Sequence, residues 1–355
     1  MACENSSITV GTITIGLDVS DRKIDCCVVD AQGEVVERSE IPNKPEALRA
    51  RFAGAKPTRI ALEAGTHSLW MADLLKGCGH EVLVANPRKL RGLYENPMKS
   101  DKVDAEYLAR LARVDPKLLA PVEPRDLKTQ QDLAVIRSRD QLVGVRTQLV
   151  VHVRSMVKTM GGRIPSSIGT ESFATKAQEH VPEVLRAAVG PILEMIRTVT
   201  VQIAAYEAWI KDAVERYPQT KPLQQISGVG PLTSLAFVLT VGDPSRFQKS
   251  RDVAAYFGLV PKRDQSGARD PELKITKAGN TYVRRLLVGS AHYILGPFGP
   301  DTDLRRFGMK LAKRGDKTAK KKAIVAVARK LSVVLHRLWV TQATYVELRE
   351  TKKTA

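Results

Sequence analysis

The sequence is short of the groups that staple small folds together. Among 355 residues there are four cysteines, Cys3, Cys26, Cys27 and Cys78. None has C-x-x-C spacing, which argues against zinc ribbons and fingers. Cys26 and Cys27 lie in an apolar run and read as core thiols. Long hydrophobic runs are missing as well: no stretch reaches the ~18 apolar residues of a membrane span. No secretory signal opens the chain, and no basic amphipathic helix stands alone to lie on a lipid surface. These absences lead us to expect a reduced, cytoplasmic protein. Acid is the third shortage, with 38 Asp plus Glu against 56 Lys plus Arg and a net charge of +18. Such an excess favours a polyanion, because each neutralised phosphate releases condensed counterions. A basic solubility surface is the plainer alternative.

What is present is ordinary for a folded chain, with 43% hydrophobic and 26% charged residues and length enough for two or three domains and a sizeable core. Ile13, Ile15 and Leu17 alternate as in a strand. A second β run follows from Ile24 to Val29, and a third in GEVVERSEI after the turn Ala31-Gln32-Gly33. Then come a strand in RIALEAG (59–65), a helix near 67–77 and a strand in EVLVANP (81–87). Three antiparallel strands followed by alternating strand and helix predict a mixed sheet with flanking helices, in the order of an RNase-H-like fold. From about Asp126 the pattern turns helical. Leu142, Val145, Leu149, Val153, Met156 and Met160 form one stripe; Leu185, Ile192, Val199, Ile203, Tyr206 and Ile210 form another beyond the break GGRIPSSIG. They predict a helical hairpin, either coiled-coil-like or an ordinary helical subdomain. A third region starts near Lys221 and ends in a basic tail. Residues 301–330 carry eleven Lys or Arg against three Asp. The expected domains are 1–125, 126–218 and 219–355. No internal repeat interrupts them.

Four acids stand where chemistry could use them. Asp18 ends the first strand. Glu63 ends the strand RIALE, where Ile60 and Leu62 point to one face and Glu63 to the other. Asp101 and Asp104, three apart at the head of a helix, share a helical face. Four carboxylates suffice for two Mg²⁺, which prefer oxygen ligands and can clamp the attacking and leaving oxygens of a phosphoryl displacement. Singly, each acid has a plainer reading: Asp18 as a turn residue, Asp101 as an N-cap, Glu63 and Asp104 as solvated charges. Their order and placement together point to a metal site. His67, four residues after Glu63, could face that site or serve in a helix N-terminal hydrogen bond.

The segment 258–287 is crowded with cations: Lys262, Arg263, Arg269, Lys274, Lys277, Arg284 and Arg285. Within it lies Ser266, followed by Gly267. A hydroxyl amid such charge can attack a phosphate while the cations stabilise the developing oxyanions; a Ser-Gly turn is the plain reading. With Ser266 as nucleophile, Lys277, Asn280, Arg284 and Arg285 become candidate phosphate or substrate contacts; Arg284 and Arg285 start a helix-like run, so that one of them facing solvent is the plainer alternative. ISGVGPL (226–232) resembles a helix-hairpin-helix turn, in which Gly228 and Gly230 let backbone N–H groups approach a phosphate. Lys320, Lys321 and Lys322 form either a solvated helix face or a nucleic-acid contact; Phe307 and Met309 before them, and Ile324, Val325 and Val327 after them, favour the second. No Ser-His-Asp arrangement can be assembled.

GLDVS, LEAGTHS and KSDKVDAEYLARLA, with the 258–287 segment, resemble the motifs of the DEDD transposases of insertion-sequence family 110. That group's relatives include the 116, 902 and 1111 transposases and the Piv pilin-gene invertase. The resemblance runs across nearly the whole chain, with no departure at the four acids. It implies a RuvC-like N-terminal domain with Asp18, Glu63, Asp101 and Asp104 as a Mg²⁺-binding tetrad, Mn²⁺ being the substitute ion. It also implies Ser266 as the nucleophile of a mainly helical second domain. Further implications are a noncoding bridge RNA pairing with target and donor DNA, a homodimer or homotetramer in which one chain's acids meet another's serine, and residence at the bacterial nucleoid. Two other readings stand beside it. An actin-like ATPase or sugar kinase also opens with a strand, an Asp and a hairpin, but the Asp-Gly-Gly phosphate loop and Gly-rich adenosine motif are missing. A catalytically inactive nucleic-acid-binding protein would retain the charge without the chemistry. A simple junction nuclease would not need the added helical and serine regions.

Overall fold

A computed structural model describes residues 13–90, 101–123, 125–266, 271, 273–315 and 317–348, without the side chains of Asp101, Lys102 and Lys317. The chain divides into two compact units, Met1–Arg125 and Asp126–Ala355. The first is mixed α/β and the second is built mostly of helices.

In the first unit, β1 (Ile13–Val19), β2 (Lys23–Asp30) and β3 (Val35–Pro42) form an antiparallel meander. After α1 (Pro45–Phe52), β4 (Arg59–Glu63) returns parallel to β1. α2 (Ser68–Gly77) then leads to β5 (Glu81–Ala85), parallel to β4. The sheet order is β3-β2-β1-β4-β5. α3 (Pro87–Leu90) and α4 (Asp101–Val114) complete the unit. Alternation along the strands separates two faces. Ile15, Leu17, Ile24, Ile60 and Leu62 bury one face together with Leu48, Phe52, Met71 and Leu75 of α1 and α2. Ala61 and Ala85 on the other face meet Leu108 and Ala112 of α4, and Cys27 and Val29 meet its Ala105 and Ala109. Each large aliphatic side chain buried here contributes roughly 1.5–3 kcal/mol. Cys26 and Cys27 are buried, unpaired thiols, and burial pushes Cys26 up to about 11.

The second unit opens with α5 (Leu127–Thr159), which Asp126 caps by accepting from the Thr129 amide at 2.9 Å. The chain turns through α6 (Phe173–Lys176) into α7 (Arg186–Arg216), and the two long helices pack together. Of the stripe expected on α5, only Val153 is buried. Val150, Val153 and Val157 line the core with Val189, Leu193 and Ile196, whereas Leu149 and Met156 lie at its rim and Met160 is 54% exposed. On α7 the expected Val199, Ile203 and Ile210 are buried. Then follow α8 (Thr220–Leu223), α9 (Pro231–Val241), α10 (Ser250–Tyr256), α11 (Thr281–Leu295), α12 (Asp303–Ala312) and α13 (Lys317–Thr341). α9 is buried from Thr233 to Val241 and forms the centre of the unit. No helix among the described residues is long and apolar enough to cross a membrane.

Candidate active site

The acidic site is set by how closely α4 approaches β1. A Cβ on Gly16 would stand 2.0 Å from the Ala105 carbonyl oxygen and 2.6 Å from the Ala109 nitrogen, so only glycine permits this contact. Gly16 lies on the α4 face of β1, and Asp18, two residues on, shares that face. Leu17 pairs with Leu62, which brings Glu63 beside Asp18, and Glu63 shares the α4 face with Ala61. At the far end of α4, the Ala112 carbonyl accepts from Arg59 at the start of β4. The head of α4 therefore lies over the carboxyl ends of β1 and β4. Asp104, 9% exposed, is placed there. Glu106 fixes the helix laterally, pairing with Arg38 of β3 and with Arg110 at 2.7 Å. Those bonds, Arg110's foremost, hold the Glu106 carboxyl below its ordinary range.

Asp18, Glu63 and Asp104 thus share one end of one sheet face. The side chain of Asp101 lies outside the described residues. The donor set is carboxylate oxygen throughout, which suits a hard divalent cation. Among the described residues no three His, Cys, Asp or Glu side chains are gathered closely enough to hold a metal ion. Asp25 is a further acid on this face that sequence reasoning missed. It pairs directly with Asp18 across the hairpin, is 6% exposed, and is met by Lys23 Nζ at 3.2 Å. Its signal was available in β2, where Asp25, Cys27 and Val29 alternate onto one face. His67 turns instead to Asp21, with Nε2 3.2 Å from the carboxylate, and its Nδ1 accepts from Trp70 Nε1 at 3.3 Å. It makes no side-chain cap to α2.

In the second unit the serine segment is a loop with a pinned neck. Lys277 N donates to Gly258 O at 3.1 Å, Thr276 N to Val260 O at 2.9 Å and Lys262 N to Lys274 O at 2.9 Å. The neck has no room for side chains. A Cβ on Gly279 would meet Tyr256 O at 1.8 Å, one on Gly258 would meet Ala278 N at 2.2 Å, and both residues have positive φ. Arg284 braces it, donating to Phe257 O at 2.9 Å and Ala278 O at 2.7 Å. Asn280 caps α11 by accepting from Val283 N at 3.0 Å. Arg285 pairs with Asp140 and lies over the Tyr282 ring. Ser266 sits toward the loop's far end, exposed, as are Lys262, Arg263, Lys274 and Lys277. Gly267 and Arg269 fall outside the described residues. Sequence reasoning missed the two neck glycines and the bracing role of Arg284, because that geometry joins residues about twenty positions apart.

Gly228 has φ +92°, and Gly230 is the N-cap of α9 with nothing within 4 Å of the position a Cβ would take. The first-turn amides of α9 are therefore approachable, apart from the missing N–H of Pro231. Arg285 borders the same open groove. Lys320, Lys321 and Lys322 are exposed on α13, and Lys330 lies over the Phe307 ring at 4.5 Å.

One unit thus carries acids at its strand ends, and the other carries an exposed hydroxyl among cations on a braced loop. Residues 15–161 match a family model described as a transposase, and residues 220–300 match the transposase model of the IS116/IS110/IS902 family. The chain belongs to the IS110 family of transposases, enzymes that cut and rejoin DNA. It is 28% identical to the transposase for insertion sequence element IS1111A of Coxiella burnetii, over 93% of this chain and 90% of the relative. It is 27% identical to a probable family 20 transposase of Pseudomonas aeruginosa, over 82% and 86%. It is also similar to the pilin gene-inverting protein of Moraxella bovis, at 23% identity over 90% and 93%. Membership of a transposase family sets the ATPase and sugar-kinase readings aside.

Proposed function

We propose that this transposase cleaves and rejoins DNA strands during insertion-sequence transposition with two sets of groups. One is the acidic tetrad Asp18, Glu63, Asp101 and Asp104, on a unit of RNase-H-like (RuvC-like) type. The other is the hydroxyl of Ser266. The observation that carries the reading is the shared position of Asp18, Glu63 and Asp104 at one end of one sheet face, under the head of α4. Acids so placed repel one another and DNA unless a cation joins them. The tetrad would hold Mg²⁺, with Mn²⁺ as substitute, and the bound ion supplies Lewis-acid stabilisation of phosphoryl oxygens.

The remaining steps belong to the chain's own groups. Ser266 Oγ attacks a phosphodiester, forming an Oγ–P bond and breaking the bond to one deoxyribose oxygen, which leaves with the hydroxyl proton. A second DNA hydroxyl then attacks the phosphoserine, restoring the diester and returning a proton to Ser266. Lys262, Arg263, Lys274 and Lys277 flank the reacting phosphate, while Asn280 and Arg284 keep the loop in shape for it. Arg285, Gly228 and Gly230 with the α9 amides, and Lys320, Lys321 and Lys322, bind the polymer away from the chemistry. The surplus of cations accommodates a guide RNA, the bridge RNA of the resemblance, together with DNA in a homodimer or homotetramer at the nucleoid.

Strand cleavage of a plasmid carrying the element's ends tests the reading. Asp18→Ala and Ser266→Ala should each lower cleavage by at least about a hundredfold with an unchanged thermal midpoint, and Ser266→Ala should also abolish the covalent protein–DNA adduct. Full cleavage by either variant overturns the assignment of that residue. Sequencing RNA that co-purifies with the wild-type protein tests the guide, an enriched transcript from DNA flanking the gene being the expected result.

A further inference from the structure

Outside these sites, one guanidinium rests on two fixed aromatic rings. Arg246 ends a short 3₁₀ turn, Pro244–Arg246, and is exposed. Its guanidinium carbon lies 4.8 Å from the Phe247 ring centroid and 4.6 Å from that of Tyr256. Those two rings meet edge to face at 5.5 Å. Neither is loose. Tyr256 donates its hydroxyl to Thr240 O at 3.2 Å, and its ring continues into the core through Phe257 at 5.2 Å and Phe237 beyond it. Phe247 packs on His336, whose two ring nitrogens lie 3.0 Å from Ser250 Oγ and Pro244 O.

Among the described residues the Arg246 guanidinium makes no hydrogen bond and no ion pair. Of the neighbouring acids, Asp243 is held below its ordinary range by its bonds from Ser245 first and by the charge of Arg246 last. Asp243 accepts from Ser245 N at 2.8 Å and Ser245 Oγ at 2.7 Å, and Asp252 accepts from Lys249 N at 3.2 Å. Exposed Lys249 and Arg251 add positive charge along the same edge. A guanidinium stacked on fixed rings has already lost the rotamer freedom that binding removes, and its planar fork matches two phosphate oxygens.

We infer that Arg246 is a phosphate clamp, preset by Phe247 and Tyr256 to take one backbone phosphate of a bound polynucleotide away from the serine loop. The inference rests on the reading of the chain as a nucleic-acid enzyme. Its chemistry is common to DNA and RNA, so the test has an arm for each. Fluorescence anisotropy with a labelled mixed-sequence DNA duplex, and separately with a mixed-sequence single-stranded RNA, gives log K against log salt for wild type, Arg246→Ala and Arg246→Lys. Loss of one phosphate contact lowers the slope by about 0.9 on duplex DNA or about 0.7 on single-stranded RNA. Arg246→Ala should show that loss in at least one arm, which identifies the polymer. Arg246→Lys should keep the slope but bind more weakly, because the fork and its stacking are gone. Wild-type binding with an unchanged slope in both arms for Arg246→Ala overturns the clamp alone. A wild-type protein that binds neither polymer overturns the clamp and the functional reading beneath it.

Discussion

At Gly16 and Gly279 a single methyl group has nowhere to go. The first would collide with the backbone of α4 and the second with Tyr256 O. Overpacking of this kind costs about 1–3 kcal/mol and sometimes more, and Gly279 adds the strain of a positive φ. Gly16→Ala should therefore lower the thermal midpoint and weaken cleavage by lifting α4 from Asp18 and Glu63. Gly279→Ala should distort the neck of the serine loop; hydrogen exchange at the Thr276 and Lys277 amides reads this out directly, and unchanged protection there would contradict the neck as drawn. The tyrosines carry a pH prediction. Burial first, and the bond to Asp132 second, push Tyr217 up to about 12; burial first, and the charge of Asp140 second, do the same to Tyr282. Both titrate later folded than unfolded, so their contribution is complete below pH 10 and is lost as pH climbs through about 12. The buried Tyr282 hydroxyl lies close to Arg139, whose side chain opposes the upward push. Tyr282→Phe should leave stability at pH 7 unchanged and flatten the alkaline loss of stability in chemical denaturation.

Among the elements, α5 and α7 show where pattern stops short of structure. Both helices were legible in their three- and four-residue spacing. The buried side of α5 was legible only at Val153, because that helix carries apolar residues on two adjoining faces, and its partner α7 selects Val150 and Val157 beside it. α1 escaped notice altogether, being eight residues long with only Leu48 and Phe52 buried. The turn between α5 and α7 depends on Arg154. Its guanidinium donates to the carbonyls of Ile164 at 2.8 Å, Pro165 at 3.2 Å and Ile168 at 2.9 Å, and lies over the Phe173 ring at 5.0 Å. Arg154→Ala strands three carbonyls and should cost about 2–4 kcal/mol. Limited proteolysis should then cut the 161–172 segment, and an uncut segment would show that the turn holds without its arginine. In the first unit the apolar runs located β1, β2 and β4 but not their register, since both faces of each are buried and the run reads as continuous.

For the whole molecule, the proposed function makes a prediction about how acids and serine are shared between protomers. If catalytic sites are composite between protomers, a mixture of Asp18→Ala and Ser266→Ala chains rebuilds intact sites from one good half of each. Random pairing as dimers should restore about a quarter of wild-type cleavage. A mixture as inactive as its components places acids and serine in one chain. By itself, the order of residues determined the strands, the long helices and the excess of positive charge, because these depend on local periodicity and on composition. Only the tertiary structure decided that Gly16 admits α4 to the backbone of β1, that Asp25 stands opposite Asp18, and that Arg284 braces a neck rather than facing solvent. Each of those depends on atoms far apart along the chain being held within a few ångströms, which close packing does and one-dimensional pattern cannot express.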